Sequence, residues 1–432
     1  MITKKIELQI EENVFEKVSV ACVPPRVNIV LRQDGILAGK TQMEVDQNVS
    51  EGQIIGYTEE TLLPIHASIP GKITGIDTIS LPNGKRGESI CVDLEGSFSY
   101  LGKKLYQSDI TNKEKNEIIN NCKSFGIINT VFSKAESLYS QIMAVKDSNK
   151  LVSLRLCGED PSCFTDELIA KFYTTEVLRG GALAASITNA SGIAVFYNPK
   201  NFVLPAESEL SNIFNSVPYV FIPVPCLRYP VANKREVISI LNKQKGTLPE
   251  VFTNEIGLFL DSLTAWHLFE CISLSKPVLE TFVQVSGTYI HNPKFFKVKI
   301  GTPISQLLFE CGGLSKAPNK IIINGLVKGT AISDIDTPIT KYVKSIHVYP
   351  KKKLPDQRVE DCIHCGRCRS VCPSELAPDL LFAHYQDNTK IDSVILKTAL
   401  KCEGCGLCNL TCPSRIPLSE IVKLLQDEKN DI

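Results

Sequence analysis

Eight of the sixteen cysteines fall into two copies of one pattern. The first copy reads Cys362-Ile-His-Cys365-Gly-Arg-Cys368-Arg-Ser-Val-Cys372-Pro373, and the second Cys402-Glu-Gly-Cys405-Gly-Leu-Cys408-Asn-Leu-Thr-Cys412-Pro413. Gaps of two, two and three residues closed by a proline are the ligand run of a 4Fe–4S cluster. Three thiolates can converge on such a core from one tight loop, and the fourth must come from elsewhere. In two-cluster proteins of this spacing the fourth cysteine of each run ligates the other cluster. That rule assigns Cys362, Cys365, Cys368 and Cys412 to one cluster, and Cys402, Cys405, Cys408 and Cys372 to a second. The expected chemistry is transfer of single electrons, and no catalytic side chain is assigned.

Paired Cys-x-x-Cys elements also hold structural zinc. Zinc takes four ligands, however, whereas each run offers a third cysteine at the same short step and then a proline. Disulfides fit poorly, because no secretory signal is recognised at the start and the cysteines have ligand spacing. Eight further cysteines, at 22, 91, 122, 157, 163, 226, 271 and 311, are scattered and read as small buried hydrophobes. Cys157 and Cys163 stand close enough to be a redox or extra cluster element, although their spacing is not diagnostic.

The loops must let the backbone curl around inorganic sulfur, which Gly366, Gly404 and Gly406 allow by reaching positive φ. The rest of the chain must carry this module. Its 432 residues suggest about three domains at roughly 150 residues each. Lys plus Arg equals Asp plus Glu at 47 each, so no overall field recruits nucleic acid or acidic lipid. The most apolar long window, Gly257 to Leu274, contains Asp261, His267 and Glu270 and falls short of a membrane helix. A cytoplasmic protein that reaches a membrane only through partners is expected.

From about Val18 to Leu94, branched apolar residues alternate with polar ones and glycines mark the corners, which suggests a small β structure. Val49-x-x-Gly52-Gln-x-x-Gly56 followed by His66-Ala-x-x-Pro-Gly71-Lys-Ile resembles the sandwiched barrel of biotinyl and lipoyl domains. The hairpin that carries the swinging-arm lysine in those domains reads Thr58-Glu-Glu-Thr-Leu-Leu here and has no lysine. A docking module is therefore expected rather than a carrier, with Lys72 a surface turn residue. Residues 101 to about 280 alternate helical patterns, Ile110 to Cys122 and Asp166 to Leu178, with branched runs at Ile193 and Tyr219, which argues for an α/β domain. Strand patterns at 283–287, 296–301, 321–325 and 345–349 surround a short helix at Ile304 to Cys311.

Taken together, the order of modules resembles the RnfC family, the peripheral iron–sulfur subunit of the Rnf electron-transport complex. The middle domain is similar to the flavin and NADH domain of the 51-kDa subunit of respiratory complex I. The resemblance implies a barrel-sandwich domain over 1–100, an α/β nucleotide-type domain over 101–280, a β-grasp domain over 281–350, and a ferredoxin-like domain with two 4Fe–4S clusters over 351–432. It implies a multidomain α/β and α+β protein on the cytoplasmic face of the inner membrane. The other subunits of an Rnf-type complex, coupled to ion translocation, would be its partners, with a soluble donor such as ferredoxin. An alternative is a soluble RnfC-like reductase that feeds a dedicated enzyme such as proline reductase.

Four segments depart from the family where flavin and NADH are held. The glycine-rich loop corresponds to Gly126-Ile-Ile-Asn-Thr-Val-Phe132-Ser-Lys134, the acidic segment to Cys157-Gly-Glu159-Asp160-Pro161, a third segment to Tyr229-Pro230-Val-Ala-Asn-Lys234, and the flavin turn to Asp261-Ser-Leu-Thr264. Branched side chains hinder close backbone approach to phosphate, and Asp261 would repel it if close. These departures speak against NADH oxidation by this chain and put FMN in doubt. Lys351-Lys-Lys-Leu-Pro-Asp reads as a solvated hinge, and Leu418 to Leu425 as a brief amphipathic helix.

Overall fold

The structure is a computed structural model that describes residues 15–32, 39–59, 62–108, 110, 113–131, 136–224, 229–350, 358–386 and 393–428. The start of the chain, Cys226, the three-lysine hinge, and parts of the 58–63 hairpin and the 126–134 loop lie outside the described residues. The chain divides into two compact units. The larger holds most of residues 9–351, and the smaller groups Tyr229 and Pro230 with the residues from 358 onward.

The larger unit begins with two small antiparallel sheets. One orders Arg26–Val30, Arg86–Leu94, Gly71–Ser80 and Asn48–Val49, and the other Gly39–Lys40, Ile54–Thr58 and Pro64–His66. Alternation buries one face of each: Val27, Ile29, Ile55, Ile65, Ile73 and Val92 make a common core. The strand Val18–Val20 does not join them. It pairs in parallel with Phe295–Lys297, far downstream, at the edge of a different sheet.

The middle of the chain forms a four-stranded, all-parallel sheet in the order Tyr219–Pro223, Ile193–Tyr197, Leu151–Arg155, Ile256–Asp261. Such strands are apolar on both faces because helices cover both, which is why Leu151–Arg155 is buried throughout. The helical pattern from Asp166 to Leu178 resolves into two helices, Thr165–Phe172 and Thr174–Thr188. Tyr173 stands at the break, and its ring packs on Trp266 at 5.9 Å and Phe282 at 5.2 Å. The second helix crosses Ser262–Leu274 so closely that a Cβ on Gly180 would lie 1.9 Å from the Ala265 carbonyl oxygen. Only glycine fits there.

A six-stranded sheet follows, ordered Val18–Val20, Lys294–Lys299, Glu280–Ser286, Ser345–Tyr349, Lys320–Ile323, Thr330–Ile332, with the helix Ile304–Glu310 packed on its core. A chain of charges links the three parts: Lys299 meets Glu51 at 2.7 Å and Glu280 at 3.2 Å, Lys297 meets Glu280 and Glu270, and Lys276 meets Glu270 at 3.0 Å. Among the described residues, no helix is long and apolar enough to cross a membrane.

Candidate metal centre

The smaller unit carries the two cysteine runs as near copies of one backbone. In each, a glycine in the left-handed region, Gly366 at φ 70° and Gly406 at φ 69°, starts a short helix, Arg367–Val371 or Leu407–Thr411. That helix carries the third cysteine, Cys368 or Cys408, and ends at the fourth, Cys372 or Cys412. A second left-handed residue, Glu375 or Arg415, then turns the chain into a longer helix, Pro378–Gln386 or Leu418–Glu428. Between the first two cysteines both copies again turn left-handed, at His364 (φ 52°) in one and Gly404 (φ 63°) in the other.

The copies interlock. A small pocket open to solvent is lined by Cys362, Cys365 and Cys368 of the first run together with Cys412 of the second. Reciprocally, the Cys408 thiol is pushed up first by burial and then by its neighbours Cys405, Cys402 and Cys372, the last from the first run. Deprotonated together, such thiolates would repel one another, and an iron core among them would offset that repulsion. The donor set suits this core: thiolates on apolar backing, with Cys368 and Cys408 packed among Ile416, Leu418 and Ile421. Among the described residues, no three potential ligands close on a single-ion point.

Hydrogen bonds already point at sulfur. The Leu376 amide donates to Cys372 Sγ at 3.3 Å, and the Gly404 amide to Cys402 Sγ at 3.4 Å. Arg369 forks onto Asp379 through two bonds of 2.7 Å and holds that carboxyl below its usual range. In the second copy Asn409 takes this place, donating to Glu420 and accepting from the Ser419 amide. Tyr229 also belongs to this unit, and its hydroxyl donates to the Cys405 carbonyl. Nothing in the local spacing of the cysteines announces it.

The remaining cysteines are dispersed. Cys91, Cys122, Cys157, Cys163, Cys271 and Cys311 are buried and Cys22 is exposed. No disulfide joins Cys157 to Cys163, and burial pushes the Cys163 thiol up to about 11. A buried, protonated thiol is inert.

The parts of these four segments that are described and belong to the larger unit, residues 126–131, 157–161, 231–234 and 261–264, meet near the carboxyl ends of Leu151–Arg155 and Ile256–Asp261. In open α/β sheets, ligands bind at such strand ends. Here the space between the segments is crossed by their own bonds. Thr130 donates its amide to Thr264 Oγ1 at 3.0 Å and its hydroxyl to Asp261 at 2.8 Å. Arg155 donates to the Val131 carbonyl at 2.9 Å, the Ala232 carbonyl at 3.0 Å and Glu159 at 2.7 Å. Asp261 is fully buried, caps the following helix through the Thr264 amide, and meets Lys344 Nζ at 2.7 Å. Burial would push its carboxyl up, but the Lys344 ammonium outweighs this and holds it at about 2. Its charge is thus directed inward to lysine rather than outward, where it would repel a phosphate. Asp160 accepts the Val327 and Lys328 amides, so the Gly325–Gly329 turn wraps a carboxylate of the protein itself.

Three family models match the chain: an RnfC barrel sandwich hybrid domain over residues 11–97, an SLBB domain over 282–330 and a 4Fe-4S dicluster domain over 358–416. The chain is 23% identical over 385 residues to the C subunit of the ion-translocating oxidoreductase complex of Rhodobacter capsulatus, covering 88% of this chain and 72% of that one. It is 24% identical over 374 residues to the C subunit of the proton-translocating ferredoxin:NAD(+) oxidoreductase complex of Clostridium ljungdahlii, covering 84% and 79%. Among solved structures, a NAD+-reducing NiFe hydrogenase in the H2-reduced state aligns with TM-score 0.49 and 10% identity over 74% of this chain and 63% of that one.

Proposed function

The chain belongs to the RnfC family, and on that premise we propose that it is an iron–sulfur electron-transfer subunit of an Rnf-type ion-translocating complex, with two 4Fe–4S clusters held crosswise by its two cysteine runs. Cys362, Cys365, Cys368 and Cys412 hold the first cluster, and Cys402, Cys405, Cys408 and Cys372 the second. What supports this reading is that Cys412 lines one pocket with Cys362, Cys365 and Cys368 of the first run, and that Cys372 bears electrostatically on Cys408 of the second.

Bound clusters supply one-electron carriers. The protein's part is to hold eight thiolates at fixed positions, to direct amide hydrogens at sulfur, and to exclude water with Ile416, Leu418 and Ile421. Electrons pass between a soluble donor, such as a ferredoxin, and the other subunits of the complex. The protein sits at the cytoplasmic face, bound through those subunits.

The α/β domain, in this reading, neither oxidises NADH nor holds FMN. Its support is the set of bonds from Thr130 and Lys344 to Asp261 and from Arg155 to the Val131 carbonyl, which engage groups a phosphate would need.

Anaerobic purification followed by iron, sulfide and flavin analysis tests both parts at once. The expected result is about eight irons per chain, no flavin, no bleaching by NADH, and reduction by dithionite. About four irons would overturn the crossed pair of clusters. Stoichiometric FMN with bleaching by NADH would overturn the reading of the α/β domain.

A further inference from the structure

Tyr229 is among the largest fully buried side chains in the protein, 2% exposed. A buried tyrosine hydroxyl is costly unless it finds a partner. The partner here is the backbone carbonyl of Cys405, 176 residues away in sequence and within the same compact unit. The peptide it grips joins Cys405 to Gly406, the left-handed residue that starts the helix bearing Cys408. The hydroxyl therefore fixes the link between two thiols of the second set. The first run is not placed alike: its corresponding cysteine, Cys365, is exposed, whereas Cys405 is partly buried.

We propose that Tyr229 is a positioning residue that steadies the Cys405 loop and sets the potential of the second cluster apart from that of the first. This rests on the two-cluster reading above. Hydrogen bonding to the carbonyl polarises the whole peptide and makes its amide hydrogen more positive. Hydrogen bonds and burial around the ligands tune cluster potentials. A more positive peptide beside the second cluster favours its reduced, more negative state and raises its potential.

Tyr229→Phe removes the hydroxyl and keeps the ring. The full chain, purified anaerobically, is titrated with a reductant while the paramagnetic signals of the clusters are followed, and Cys365→Ser identifies the signal of the first set. The expected result is a tenfold weaker one-electron reduction of the second cluster, about 59 mV lower, with the first unmoved. Should Tyr229→Phe lose iron, loss confined to the second set with the first signal intact supports the same role. Two unmoved midpoints overturn the proposal, as does an equal shift or equal loss at both clusters, which marks general destabilisation. Failure of the two-cluster reading itself is seen separately, in the unsubstituted protein, as the absence of eight irons and two signals.

Discussion

Cys372 is the residue at which local spacing and spatial neighbourhood part company. By sequence it closes the first run, yet its charge bears on Cys408 of the second. Cys365→Ser is expected to weaken the first cluster, and Cys372→Ser to damage the second while sparing the first, read as separate losses of paramagnetic signal. If Cys372→Ser affects only the first, the crossed assignment is wrong. Lys344 is a second informative residue, since its ammonium meets both Asp166 at 2.9 Å and Asp261 at 2.7 Å in a buried site. Lys344→Met removes the ammonium that bonds both buried carboxylates, leaving the Arg155 guanidinium as their compensating charge, and breaking a buried pair costs about 3–5 kcal/mol. A correspondingly lower midpoint in urea unfolding of the larger unit is expected. A change below about 1 kcal/mol, the range of exposed pairs, would mean that water reaches this cluster. The eight cysteines could be read from the sequence because ligand spacing is local. Lys344 could not, because its partners lie 83 and 178 residues away.

At the scale of elements, sequence pattern served where a short branched run forms a strand or where one face of a helix is buried. The runs at Ile193 and Tyr219 form the strands Ile193–Tyr197 and Tyr219–Pro223, and the pattern at Leu418 forms the helix Leu418–Glu428. It failed where a single residue redirects the chain, as at Tyr173, or where a strand is recruited from afar, as Val18–Val20 is by Phe295–Lys297. Neither event leaves a mark on local alternation. The loop-to-helix joint of the cysteine runs is set by backbone conformation alone, because a Cβ on Gly366 would meet nothing within 4 Å. Gly366→Ala should therefore cost only the left-handed conformation, about 1–2 kcal/mol. The expected result is retained iron with a lower unfolding temperature. Loss of the first cluster with unchanged apoprotein stability would show instead that the methyl group obstructs the core.

For the larger unit as a whole, the charges joining Glu51, Lys299, Glu280, Lys297, Glu270 and Lys276 set a pH window. Burial would push Glu280 up, but Lys297, Lys299 and Lys276 hold it down at about 2 against an ordinary value of 4.5. A depressed folded-state value means that the unfolded chain binds the proton first as the medium is acidified. The stabilisation is therefore complete above about pH 4.5 and is lost as pH falls toward 2. Equilibrium unfolding from about pH 6 down to about pH 3 should show Glu280→Gln losing less stability than the unsubstituted chain. Parallel losses would place the acid-sensitive groups elsewhere. Many strands of this unit were legible as patterns of turn and alternation. The charges that fasten them were not, since the ladder runs from one module into the next.

The interlocked cysteine runs also bear on how the protein is made. On the crossed arrangement, a ribosome that has released residues through Cys372 has displayed three thiols for one core and a single thiol for the other. The second core can be completed only once Cys408 emerges, and the first only once Cys412 does. Cluster insertion is then a late, concerted event, and a nascent chain halted between the two runs offers delivery machinery an unfinished cradle.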